Sequence, residues 1–149
     1  MATTTTAVNA CGAKIQLDDK DGALQDISGS SVAGNIELTT KLGDYKVFAD
    51  GCTYRLACGK DGSISLTIVY TTDDSEGIGI LKEWWDADYD DARSIQIDIP
   101  TGAGGDDSYT AEVYLESLSI PLTADEASPI MVAAEFKPNG CIDISQIAS

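Results

Sequence analysis

The chain has no histidine, few cations and no long apolar run, and each shortage removes a class of function. Its 149 residues hold nine Lys and Arg, two Phe, two Trp and two Met. Without histidine the familiar Ser-His-Asp and Cys-His hydrolase arrangements cannot be built, and no side chain has an unperturbed pKa near neutrality. Nine cations against 25 anions leave a formal charge of −16. The cations are scattered singly along the sequence, which disfavours binding to phosphate backbones and to anionic membrane surfaces. No apolar stretch approaches the about 18 residues that span a bilayer. The Thr-rich start, residues 1–10, lacks the basic and apolar regions of a secretory signal, so the expectation is synthesis in a cytosol with no membrane partner.

Four cysteines are present, Cys11, Cys52, Cys58 and Cys141. Their spacing matches no zinc module, and a histidine-free metal site would need all four thiolates. They are expected as free thiols serving as small apolar residues. The acidic cluster at Asp18, Asp19 and Asp21 before Gly22 fails as a calcium loop, because that register puts Leu17 at the first ligand position and Ser28 at the last. The glycine-rich stretch 102–105 is followed by Asp106 and Asp107 rather than by a lysine, so it reads as a turn and not as a phosphate cradle. Neither a metal nor a cofactor is expected.

What the chain does have is alternation. In residues 62–72, Ile64, Leu66, Ile68 and Tyr70 fall on one side of an extended strand, with Ser63, Ser65, Thr67 and Thr71 on the other. Residues 13–18 and 24–27 form a hairpin around Asp21 and Gly22. Residues 35–42 give a third strand, with Ile36, Leu38 and Leu42 inward. Residues 94–100 and 130–137 are further strands, the latter antiparallel to 109–122. That longest run changes phase between Leu115 and Leu118, which calls for a bulge near Glu116 and Ser117. Residues 43–60, with three glycines and little periodicity, read as a long loop whose Tyr45, Val47 and Phe48 pack against something. The tail 141–149 carries Ile142, Ile144 and Ile147, enough to dock but not to form an element.

One helix is expected after Asp74 or Ser75, either of which would cap it. Ile78, Leu81 and Trp85 lie at i, i+3 and i+7, so they are the expected anchors to the core. The adjacent Trp84 and Trp85 point about 100° apart and cannot form one flat sugar-binding surface. Carboxylates are abundant, and a glycosidase pair such as Asp98 with Glu112 is possible by residue type. Solvated strand faces routinely carry acids, however, so no catalytic residue is assigned and the chain is expected not to be an enzyme. The parts sum to a mainly β chain with one short helix, divided into an arm (1–12), one β-rich domain (13–140) and a tail (141–149).

Taken in order, these parts resemble the major tail protein, or tail tube protein, of long-tailed bacteriophages. The resemblance runs from the hairpin ending in Asp26, Ile27, Ser28 and Gly29, through Gly43, Asp44 and Tyr45, the strand entry 59–66, the helix 77–85 and residues 99–102, to Phe136, Lys137, Pro138, Asn139 and Gly140. It implies an antiparallel β-sandwich or barrel-like fold with one flanking helix. It also implies hexameric rings stacked into a hollow tube for DNA ejection, located in the virion and synthesised in host cytoplasm. The implied partners are copies of the chain itself and other tail proteins such as tape measure, terminator and baseplate components, while genome DNA passes through without specific binding.

In a six-membered ring the charge of −16 per copy becomes −96, which would repel DNA and keep it from sticking. Glu37, Asp98, Glu112, Glu116 and Glu135, outward on their strands, are the expected lumen-facing acids. Tyr45, Val47 and Phe48 are the expected contacts between rings. The alternatives are a soluble acidic β-sandwich that binds carbohydrate on Trp84, Trp85 or Tyr114, and the tube protein of a contractile or type VI injection apparatus.

Overall fold

The described residues form eight strands, β1 (Lys14–Asp18), β2 (Leu24–Asp26), β3 (Ser31–Lys46), β4 (Thr53–Val69), β5 (Arg93–Ile99), β6 (Asp106–Ser119), β7 (Met131–Pro138) and β8 (Asp143–Ile147), with one helix, α1 (Gly77–Asp86); alternation gives one dry face to β1, β5, β7, the second half of β4 and the first half of β6. The structure, a computed structural model, describes residues 8, 11–19, 21–73, 75–87, 92–101, 106–122, 124 and 128–147, the side chains of 146 and 147 excepted. The expected arm 1–12 and turn 102–105 lie largely or wholly outside them.

All strand pairs are antiparallel, in the order β2-β1-β5-β6-β7-β4-β3, with β8 beside the first half of β6. The sheet rolls without closing. Its far strand β3 comes over β1, so that a Cβ on Gly34 would sit 3.9 Å from Ile15 Cδ1. Of the two expected forms, the barrel-like one describes this single curled sheet. Its inner face is the core: Leu17, Ile64, Leu66, Ile68, Ile95, Val113, Val132 and Phe136 are all buried. Each is worth about 1.5–3 kcal/mol relative to exposure. The expected bulge is present, where the β6–β7 register shifts between Leu115 and Ser117.

The helix closes one end of the roll, and here the expected anchor set needs correction. Ile78 and Leu81 are buried with Ile80 and Trp84, but Trp85 is 70% exposed. Trp84 rather than Trp85 is fixed, by an edge contact to the Phe136 ring (centroids 5.4 Å) and an indole N–H donated to the Asp18 carbonyl (2.6 Å). The i+7 position lost because a tryptophan N–H needs a partner when buried, and β1 supplies one at Trp84. The expected cap is also different. Glu76 occupies the N-cap without a side-chain bond, while Asp73 accepts from the backbone N–H and hydroxyl of Ser75. Asp74 lies outside the described residues.

Four further expectations are corrected. Residues 43–60 are not a loop but the outer half of a β3–β4 hairpin, paired from Lys41 with Gly59 to Lys46 with Thr53. The pattern was hidden because this half extends past the core and has no dry face. Leu38 and Leu42, expected inward, are half-exposed for the same reason. The C-terminal tail forms β8, whose backbone pairs with β6 from Asp106 to Thr110. The four cysteines are exposed rather than packed inside as small apolar residues.

Candidate functional site

Three surfaces stand out: a polar outer face, a projecting arm and a groove beside the helix. The outer face follows from the pleat, since residues between the buried positions of each strand point away from the core. Cross-strand pairing sets Glu37 against Ser63, Ser65 against Glu135, Tyr114 against Lys137, and Ser94 against Glu112. Glu37 and Glu135 meet in one shallow depression with Asn35, Ser63, Ser65 and Lys137. Glu112 accepts a bond from the Ser94 hydroxyl. The bulge residue Glu116 reaches the Lys137 ammonium at 3.8 Å, an exposed pair of little energetic weight.

Four of the five expected lumen acids are thus exposed: Glu37, Glu112, Glu116 and Glu135. Asp98 is not, and that expectation is corrected. It is 7% exposed, held on the central strand β5 between Lys14 of β1 and the buried Ser108 of β6, and its carboxylate accepts from the Gln96 amide at 3.0 Å. A buried carboxylate cannot line an open passage. Nor can Asp98 act with Glu112 as a glycosidase pair. Glu112 lies opposite Ser94, four residues along β5, or about 13 Å, beyond the about 5–9.5 Å that such chemistry needs.

The arm is the outer half of the β3–β4 hairpin. Its pairing is reinforced by stacked Tyr45 and Tyr54 rings (5.5 Å) and by Arg55 with Asp44 (3.3 Å) and Lys41 with Asp61 (3.8 Å). At the tip Asp50 accepts from the Tyr54 hydroxyl and from the Cys52 backbone N–H. The tyrosine bond, more than the backbone one, holds the Asp50 carboxyl below its ordinary value, and the same bond raises Tyr54. Gly51, at φ +69°, makes the reversal where a side chain would be strained. Leu42, Tyr45, Val47, Phe48, Tyr54 and Leu56 are all exposed on it, Phe48 completely, and Leu38 is exposed at its root. Tyr45, Val47 and Phe48 were legible from the sequence. Tyr54, Arg55 and Leu56 were missed, and the signal that could have found them is the apolar and aromatic content of residues 53–57 just past a glycine turn.

The groove lies between the end of α1 and the end of β6, about 670 Å³ in volume, lined by Lys82, Trp85, Asp86, Glu116, Ser117, Leu118 and Ile120. The exposed Leu122 follows it in the chain. No flat aromatic platform forms among the described residues: Trp84 is buried, Trp85 lies alone in the groove, and Tyr114 is on the outer face of β6. No group of three or more His, Cys, Asp or Glu among the described residues is placed to hold a metal ion, and no helix is long and apolar enough to cross a membrane.

No established family profile matches the chain, and no curated protein matches it in sequence. Solved structures do match in shape. A chain in the cryo-EM structure of the anti-feeding prophage tube-terminating cap superposes with a TM-score of 0.71 at 13% identity, over 99% of this chain and 96% of the other. A chain in the C6-symmetric tail of an empty gene transfer agent particle matches at 0.66 and 15% identity, over 95% and 100%. The SPP1 tail tube matches at 0.68 and 10% identity, over 96% and 81%. The rolled sheet with its single helix is therefore the fold of tail tube proteins, seen in tube, cap and tail assemblies.

Proposed function

We propose that the chain is a structural subunit that assembles with copies of itself into stacked rings forming a tail tube. The exposed arm carries this reading. A 16-residue and a 17-residue strand extend past the core and present an apolar surface that a monomer has no use for, on a fold otherwise seen in tubes. Six-fold rings follow by analogy with the C6-symmetric tail. Tyr45, Val47 and Phe48 then contact the next copy.

The outer face, with Glu37, Glu112, Glu116 and Glu135, would line the passage. At −16 per copy such a wall repels a phosphate backbone and lets DNA pass without adhering. Tape measure, terminator and baseplate proteins are the further partners of such a tube, and catalysis has no part in it. Two neighbours also support a second reading. The anti-feeding prophage cap and the PVC sheath-tube complex of an extracellular contractile injection system would make this the inner tube of a contractile apparatus.

Negative-stain micrographs of concentrated protein test the proposal. Rings and tubes are expected; uniform small particles would overturn it.

A further inference from the structure

Four of the nine cations fall within residues 41–60, the outer half of the β3–β4 hairpin. Lys41, Lys46, Arg55 and Lys60 stand on the arm against Asp44 and Asp50, so residues 41–60 carry a formal +2 and the rest of the chain carries −18 of the total −16. The arm is therefore a basic, apolar limb on an acidic body. Among the described residues the exposed large apolar side chains concentrate in two places, the arm and the cluster of Trp85, Ile120 and Leu122; the others are scattered.

These two places lie at opposite ends of the molecule. The last residues of β6 pair through β7 with the last residues of β4, Ser119 to Ala133 to Thr67, which sets Ile120 and the groove at the helix end of β4. Tyr54 and the arm tip are more than ten residues back along the same strand, roughly 40 Å away. Two different surfaces at opposite ends are what a head-to-tail contact requires, and repetition of such a contact extends an assembly rather than closing a pair.

We infer that the arm of one copy seats on the groove of the next, with Phe48 against Trp85, Leu118 and Ile120, and with the arm's positive charge steered by the acidic body that carries the groove. This rests on the tube reading and names the surface that receives the arm. It makes the joint between rings apolar at its centre and salt-sensitive at its rim.

Phe48→Glu and Trp85→Glu test it, since both positions are exposed and both variants should unfold at the wild-type midpoint. Each variant alone should stop at single rings in electron micrographs. Rings of the two mixed in equal amounts should form pairs and go no further: the joint uses the intact arm of one and the intact groove of the other, leaving only mutated ends. Ile120→Glu should behave as Trp85→Glu does. Wild-type tubes from Trp85→Glu, or a mixture that stays as single rings, would overturn the inference while leaving the tube intact. Absence of rings even from the unmutated protein would instead bring down the tube reading, and this inference with it.

Discussion

Trp84 donates its indole N–H to the backbone carbonyl of Asp18, 2.6 Å away, while its neighbour Trp85 stands 70% exposed. One indole locks the helix to β1; the other faces solvent. Trp84→Ala should therefore cost about 3–5 kcal/mol, as for other large buried aromatics, and Trp84→Phe should recover most of the packing but lose about 1 kcal/mol with the bond. Trp85→Ala should stay within about 0.5 kcal/mol of the parent. Denaturant titration of the three variants checks this; equal losses at both tryptophans would refute the assignment.

At the root of the arm, Gly62 faces Leu38 across the ladder. A Cβ there would stand 2.5 Å from the Glu37 carbonyl oxygen and 2.9 Å from Ile142 Cδ1, and backbone cannot yield as a flexible side chain would. Gly62→Ala should destabilise by about 1–3 kcal/mol. Thermal unfolding reads the loss, and an unchanged midpoint would show that β3 and β4 separate more freely than their pairing indicates.

The tip of the arm should respond to pH in two directions. Asp50 is lowered by its Tyr54 bond, so what the bond contributes is complete above the ordinary carboxylate value and fades as pH falls through the lowered one. Tyr54 is raised, so its side of the bond holds below about pH 10 and fades as pH climbs through the raised value. Asp50→Asn should return the Tyr54 midpoint toward the ordinary phenol value in an NMR titration. An identical titration in the variant would show that the bond is absent in solution.

If the outer face lines a passage, reversing its sign should leave assembly intact and impair transport. Glu37→Lys with Glu135→Lys alters two exposed side chains in one depression and touches no core residue. Particles carrying the variant should show normal tubes in micrographs but release DNA poorly, with the defect relieved as salt rises. Normal release would place the lumen on another face.

The core was legible wherever one face of a strand is dry. Ile64, Leu66 and Ile68, or Val132, Ala134 and Phe136, announce themselves by alternation, and the phase change between Leu115 and Leu118 marks the bulge in the sequence itself. The arm was not legible as strand, because beyond Leu38 both of its faces meet solvent and the Cys58 irregularity shifts the pairing between Lys41 and Leu42. Its apolar residues were noticed and their geometry was missed. Choosing between Trp84 and Trp85 required the position of the Asp18 carbonyl, and the burial of Asp98 required both neighbouring strands. Neither is encoded locally.

In the proposed tube the arm joins copies of this chain. The pairing of Lys41 with Gly59 allows the hairpin to be closed there by an Asn-Gly turn, removing the exposed outer strands without disturbing the core. Molar mass by light scattering over a range of concentrations, for the parent and the shortened chain, is the direct test. The parent should grow into assemblies of many copies, while the shortened chain, still giving a β-sheet far-ultraviolet spectrum from its remaining strands, should not grow beyond a single ring. A parent that remains a monomer at every concentration, or a shortened chain that grows as the parent does, would contradict the account.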